Sequence, residues 1–301
     1  MKLFLTGARG QVGREVERCF SLRGWQVVGV DLEDFDIADG GAVEDAIGRS
    51  APDLVINSAA YTAVDRAEEQ AEEAFRANRD GPACLASATG AAGIPLFHIS
   101  TDYIFDGRKK GPYREDDPPN PLGVYGRSKR EGEWAVRERH PRSLILRVSW
   151  MYGRHGSNFV KTMLRIAGEQ DEVRVVADQT GCPTAAPDVA FTLFALAEKI
   201  CSAGEAREPR WGVYHYSGTP PATWHELAES TIEMAREHAA LRAQRVIPIP
   251  TSEYATAAER PRNSALDTEK LRTTFGIVPR PWRQSLKSVL EEIYSERVQA
   301  P

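Results

Sequence analysis

Cysteine is scarce in this chain. Its 301 residues hold four, Cys19, Cys84, Cys182 and Cys201. None forms a C-x-x-C pair and their spacings fit no zinc template. A disulfide-stapled or structural-zinc fold is thereby excluded, and free thiols in a reducing cytoplasm are expected. Long apolar runs are missing too. Nothing approaches the roughly 18 residues that would cross a bilayer. Met1-Lys2-Leu3-Phe4-Leu5 is cut short by Thr6-Gly7 before it could form the core of a signal peptide. Neither charge dominates: 38 Lys and Arg against 43 Asp and Glu leave −5. That balance gives no basic field to hold nucleic acid, so neither a nucleic-acid nor a membrane partner is expected. No internal repeat or low-complexity tract interrupts the chain. What is present, 42% hydrophobic and 27% charged residues, is ordinary for a globular protein. The length suits one large domain or two coupled ones.

The first half alternates short apolar runs with helical patterns. Leu3–Leu5, Gln26–Val30, Leu54–Ile56, Pro95–Ser100 and Ser143–Val148 read as strands. Val12, Val16, Cys19 and Phe20 share one helical face, and Asp65–Arg79 reads as a solvated helix. Short runs bounded by Gly, Pro and Asp, with helices between them, predict a parallel sheet covered on both faces. The fold class is therefore α/β, a Rossmann-like doubly wound parallel sheet over residues 1–150. Beyond Trp150 the rhythm changes. Strands are expected at Val173–Ala177 and Val213–Tyr216, and helices at Asp188–Lys199, Trp224–Arg242 and Trp282–Tyr294. Residues 151–301 form a smaller C-terminal lobe, some of whose segments return to the first domain.

The first strand runs into Thr6-Gly7-Ala8-Arg9-Gly10-Gln11-Val12-Gly13, a G-x-x-G-x-x-G spacing. Gly7 permits a tight turn, Gly10 lets backbone N–H groups approach a pyrophosphate, and Gly13 lets the helix pack on the strand. The helix N-terminus offers free donors and a positive dipole. The strand–loop–helix context is what the motif requires, and it points to a dinucleotide. Asp31, at the end of the second strand, suits the ribose diol of NAD. Arg9 pulls the other way, because a guanidinium suits the 2′-phosphate of NADP. The choice between NADH and NADPH stays open. Asp36 and Ile37 are placed to cover the adenine.

Tyr125-Gly126-Arg127-Ser128-Lys129 is a Y-x-x-x-K at the start of a helix, with both side chains on one face. A nearby ammonium is expected to lower the phenol's pKa toward the working pH. Tyr125 would then exchange a proton with a carbonyl oxygen. Upstream, Leu96–Ser100 leads into Thr101-Asp102-Tyr103, so the Thr101 hydroxyl stands at a strand end, where it would hold a substrate carbonyl. Loop, strand-end hydroxyl and Tyr–Lys helix follow in the order a carbonyl reductase needs.

These pieces resemble the extended short-chain dehydrogenase/reductase superfamily. With Asn57–Asp65, Ser100–Gly107, Arg147–Tyr152, Asp178–Thr184 and Arg260–Ser264 added, the chain looks more narrowly like the dTDP-4-dehydrorhamnose reductase family over nearly its whole length. The resemblance implies that Gly10, Gln11 and Val12 meet the cofactor diphosphate, that Asp36 and Ile37 flank the adenine, and that Ala59, Ala60 and Tyr61 line the cofactor further along. It makes Thr101, Tyr125 and Lys129 catalytic, and brings Thr101, Asp102 and Trp150 to a sugar nucleotide. Arg260 is a candidate for the substrate diphosphate. Asn78 and Asn158 match the family without an assigned catalytic role. Some relatives hold magnesium through carboxylates at a dimer contact, and Glu15 matches one such position. Magnesium and a homodimer are therefore left open. The implied reaction is NAD(P)H-dependent reduction of the C4 ketone of dTDP-4-dehydro-6-deoxy-L-mannose. The alternatives are a reductase of another nucleotide-linked 4-keto sugar and a non-catalytic NADP-binding regulatory subunit.

Overall fold

The computed structural model describes residues 1–201 and 211–299, the side chains only as far as residue 295. The second expected region thus has residues 202–210, 300 and 301 outside the described residues. The chain opens β1 (Lys2–Thr6), α1 (Gln11–Ser21), β2 (Gln26–Val30), α2 (Gly40–Ser50), β3 (Leu54–Asn57) and α3 (Ala71–Phe75). It continues through α4 (Gly81–Ala92), β4 (Leu96–Thr101), α5 (Val124–Arg139), β5 (Ser143–Val148), β6 (Met151–Tyr152), α6 (Phe159–Glu169) and β7 (Glu172–Val176). Then come β8 (Thr180–Gly181), β9 (Thr184–Ala185), α7 (Ala186–Cys201), β10 (Gly212–His215), β11 (Ala222–Thr223), α8 (Trp224–Ala235), β12 (Arg245–Ile249), α9 (Glu269–Phe275) and α10 (Trp282–Gln299).

Six strands form one parallel sheet in the order β10-β5-β4-β3-β1-β2. Alternation along the strands sends successive side chains to opposite faces, which explains why the strands read as unbroken apolar runs. Leu3, Leu5, Leu54 and Ile56 pack with Val16, Phe20, Val189 and Leu193 of α1 and α7 on one face. Phe4, Val55, Leu96 and Ile145 pack with Val43, Ile47, Leu85 and Val136 of α2, α4 and α5 on the other. The order reverses between β1 and β3, and such a switch point opens a ligand crevice at the strands' C-terminal ends. α7 and β10 lie beyond Trp150 yet belong to this sheet half. The remaining lobe has its own core of Trp150, Tyr152, Leu227, Trp282, Leu286 and Leu290. Among the described residues no helix is long and apolar enough to cross a membrane.

Two expected helices differ. Asp65–Arg79 is not one solvated helix. It is a 3-10 turn, the short α3 and a π-helical turn over Arg76–Asp80 that runs into α4. Ala67, Ala74 and Asn78 of this stretch are buried, and Glu-rich composition concealed those inward positions. The helix expected over Trp224–Arg242 ends at Ala235. Beyond it the chain must fold back, because Ala243 N bonds Ala167 O and β12 pairs in parallel with β7. The sequence reading missed α2, whose doubled Gly40-Gly41 start hid a helix that Asp39 caps by accepting from Ala42 N.

Candidate active site

The glycine loop is shaped by contacts that exclude side chains. Gly7 has φ +69°, and a Cβ there would sit 2.5 Å from Ala59 N. A Cβ on Gly13 would lie 2.0 Å from Gly7 O, so α1 meets the loop with no space to spare. Gly10 is the N-cap of α1 and no side chain caps the helix. Its first N–H groups have no carbonyl one turn back and face a cavity of about 750 Å³. Gly7, Gly10, Gln11 and Val12 line that cavity at one end, with Asp31, Asp36, Ile37, Ala59 and Ala60 beside them. Thr101, Asp102, Tyr125, Lys129 and Trp150 line the other. These residues fit a dinucleotide: uncapped amides, a groove along the switch point, and proton-carrying groups at its far end.

Arg9, Gly13, Tyr61 and Arg260 do not line the cavity. Arg9 pairs with Glu33 at 2.9 Å and Asp34 at 3.6 Å. Asp31 accepts from Arg9 N at 2.8 Å, so the acid expected at the ribose also ties the loop. Arg260 forms a two-pronged pair with Asp65 at 2.5 and 2.6 Å. That pair joins the lobe to the sheet half, and a guanidinium so engaged is not aimed at a substrate diphosphate. Tyr61 is held by its backbone, its N–H donating to Asn78 Oδ1 at 2.9 Å. Asn78 Nδ2 returns bonds to Tyr61 O and to Ser128 Oγ, both at 3.0 Å. A buried amide on the π turn thus couples the loop after β3 to α5. An irregular turn of this kind marks functional sites, but no sequence pattern announced it.

Tyr125 and Lys129 sit one turn apart on α5, and Thr101 ends β4. Thr101 lies close enough to Tyr125 to pull its pKa down, and its Oγ1 donates to Asp102 Oδ1 at 3.2 Å. Asp102 is buried, accepts from Ser149 Oγ at 2.8 Å, and has its carboxyl pushed up to about 6 by loss of solvent. Lys129 is buried and donates to Ile99 O at 2.7 Å. Burial lowers its pKa to about 8, against a smaller upward pull from Glu133. The expectation that Lys129 lowers the Tyr125 pKa is not met. Packed protein around the phenol raises it to about 12, and the ammonium is turned to a carbonyl. Tyr125 is held protonated, the state a proton donor needs.

Trp150 lines the far end of the cavity. Its φ is +42°, a strained conformation for a bulky residue that costs on the order of 1–3 kcal/mol and gathers at functional sites. Its ring stacks on Trp224 at 3.5 Å and 4°, and a Cβ on Gly181 would fall 2.2 Å from it. Trp224 also lines the cavity and donates to Gln179 Oε1 at 3.2 Å. Sequence reasoning gave Trp224 no part, since its partner lies 74 positions away. Asn158 lines the cavity too and donates to Gln11 Oε1 at 2.7 Å, bridging lobe and loop.

Magnesium does not fit at Glu15. One carboxylate oxygen accepts from Arg154 Nε and the other from Arg18 Nε, both at 3.0 Å. Cations of the chain already satisfy it, and among the described residues no group of three or more His, Cys, Asp or Glu could hold a metal.

A family model, the RmlD substrate binding domain, matches residues 1–295. The dTDP-4-dehydrorhamnose reductase of Sinorhizobium fredii is 42% identical over 290 residues, covering 96% of this chain and 97% of that protein. The crystal structure of a dTDP-4-dehydrorhamnose reductase from Clostridium acetobutylicum superposes with a TM-score of 0.89 at 35% identity, covering 100% of both chains. That of Bacillus anthracis, solved in complex with NADP, gives 0.88 at 34% identity over 97% of this chain and 99% of the other.

Proposed function

The chain belongs to the RmlD substrate binding domain family, the dTDP-4-dehydrorhamnose reductases, and from that membership we propose how its residues carry the reaction. The protein is an NAD(P)H-dependent oxidoreductase that reduces the C4 ketone of dTDP-4-dehydro-6-deoxy-L-mannose to dTDP-L-rhamnose. The assignment of residues is supported above all by one observation: Thr101, Tyr125 and Lys129 line the same cavity as the uncapped glycine loop.

Bound NAD(P)H supplies the hydride that C4 receives. Tyr125 gives its hydroxyl proton to O4 as charge develops there, so the C=O bond becomes C–H and O–H. The phenolate regains its proton from solvent. Thr101 orients the carbonyl and stabilises the oxyanion. Lys129 holds the β4 end through Ile99 O and, lining the cavity, would bind the cofactor ribose. Gly7, Gly10, Gln11, Val12 and Gly13 shape the diphosphate cradle, and Asp31, Asp36, Ile37, Ala59 and Ala60 form the adenosine end. Asp102 and Trp150 meet the sugar nucleotide, whose dTDP part contributes remote binding energy that positions C4.

Residues 1–150 are read as the dinucleotide-binding domain. Residues 151–301 are read as mainly the substrate-binding lobe, with α7 and β10 returned to the sheet. Two finer readings go with this proposal. A cytoplasmic address is supported by four free thiols. A homodimer is supported by exposed Leu22, just after α1, and exposed Phe191 of α7, the helix that packs against α1. The decisive test is Tyr125→Phe. Turnover, followed at the nicotinamide absorbance band, should fall about 10²–10⁴-fold while dinucleotide binding stays near wild type. Unchanged turnover defeats the assignment. Activity should also survive a chelator.

A further inference from the structure

We propose that Tyr103 is a positioning residue for Tyr125, and that Arg260 carries the seating of the lobe through it to the catalytic phenol. The inference rests on the reading of Tyr125 as the proton donor.

Tyr103 stands in the 3-10 turn Asp102–Ile104 that follows β4, and it lines the cavity together with Thr101 and Tyr125. Its backbone is fixed on both sides. Tyr103 N donates to Thr101 Oγ1 at 3.2 Å, and Tyr103 O presses on Gly126 of α5. Its ring meets the Tyr125 ring edge to face, with centroids 5.6 Å apart and planes at 74°. Two aromatic rings favour that arrangement, and it restricts the swing of the Tyr125 phenol. Tyr103 is the weaker acid of the two. Loss of solvent, and then the Asp102 charge, lift its hydroxyl far above the ordinary tyrosine range, and the nearby Arg260 guanidinium pulls it only partly back. The lobe reaches this turn through residues 258–262. Arg260 grips Asp65 with both prongs and donates to Ala258 O at 2.6 Å. Ala258 N donates to Asp65 Oδ1 at 2.9 Å. Ala258 is buried at the start of α5, where a Cβ on Gly123 would lie 3.9 Å from its own Cβ. Arg262 N would stand 2.6 Å from a Cβ on Gly107. This stretch of the lobe is thus packed against both the chain after β4 and the first residues of α5, next to Tyr125. Asp65 is the anchor, Arg260 the arm, and Tyr103 the contact with the phenol. A lobe lifted from the sheet half withdraws the guanidinium and frees the Tyr103 ring from its place against Tyr125.

Tyr103→Leu, Tyr103→Phe, Arg260→Ala and the double variant of the last two are compared as full chains with dinucleotide and keto sugar, by steady-state and single-turnover kinetics in light and heavy water. Tyr103→Leu removes the ring, and kcat should fall about tenfold to 10²-fold, since a small displacement at a reacting centre carries a cost of that order. The KM for the dinucleotide should stay near wild type. The solvent isotope effect on the reduction should rise, because proton transfer from a loosened phenol becomes the slower step. A purely structural loss of active protein would lower the amplitude and leave the isotope effect where it was. Tyr103→Phe keeps the ring edge and removes the hydroxyl, so it should lose less. Arg260→Ala should lower kcat by itself and lower it no further in the Tyr103→Phe background, the sign of one shared path. Wild-type kcat in folded Tyr103→Leu overturns the proposal. Should that variant not fold, additive losses from Tyr103→Phe and Arg260→Ala overturn it on their own. Unchanged turnover in Tyr125→Phe strikes the donor reading and this proposal with it. Lost turnover there, beside wild-type kcat in Tyr103→Leu, strikes this proposal only.

Discussion

Asp102 shows how burial sets chemistry at a single residue. With its carboxyl raised to about 6 it is charged at pH 7 and neutral below 6. Its charge also raises the Tyr125 pKa. An unfolded carboxyl loses its proton near pH 4, so the folded state is penalised as pH rises from there through 6. The penalty is full above 6 and absent below 4. Asp102→Asn should therefore raise Tm at pH 8 and leave it unchanged near pH 4. The same variant should erase the acid-side inflection near pH 6 in kcat/KM. A Tm gain over wild type that is no larger at pH 8 than at pH 4 would contradict the raised carboxyl. Lys129 illustrates what spacing cannot say. The Y-x-x-x-K pattern puts it on the face of Tyr125, but Ile99 O, 30 positions back, decides where the ammonium points.

At the scale of elements, α5 is the part that must be exact. Two glycines let it sit against backbone: a Cβ on Gly126 would fall 2.2 Å from Tyr103 O, and one on Gly132 would fall 2.0 Å from Asn78 O. The start of the helix was legible in Tyr125–Lys129, but these approaches were not, since each partner lies 23 or more positions upstream. Gly126→Ala should push the start of α5 away from Thr101. A displacement of about 1 Å at a reacting centre costs on the order of 10²-fold in rate. We therefore expect kcat to fall by about that factor with the Kd for dinucleotide little changed, as single-turnover kinetics and titration would show. Wild-type kcat in that variant would mean that the contact is not what sets the Thr101–Tyr125 geometry.

Across the whole molecule, polar links fasten the lobe to the sheet half, Gln11 with Asn158 and Asp65 with Arg260 among them. The second has a pH signature. The Arg260 guanidinium holds the Asp65 carboxyl down at about 2. The stability it contributes is complete above the unfolded value near 4 and is lost as pH falls from there through 2. Asp65 is 45% exposed, so screening reduces the effect to about 1 kcal/mol. Arg260→Ala should lower Tm at pH 7 and lose that difference as pH falls toward 2. It should also raise the KM for the keto sugar more than that for the dinucleotide. Equal effects on both would remove Arg260 as a link between lobe and sheet.

Local chemistry was readable from residue order alone: the glycine loop, the strand rhythm and the Tyr–Lys turn each need only neighbours a few positions apart, and backbone sterics and helical periodicity fix their geometry. Charge states and allegiances were not. The Trp150–Trp224 stack, the pairing of Arg260 with Asp65, the guanidiniums on Glu15 and the high pKa of Tyr125 all depend on groups from distant stretches. Folding alone brings those groups together and strips the water from around them.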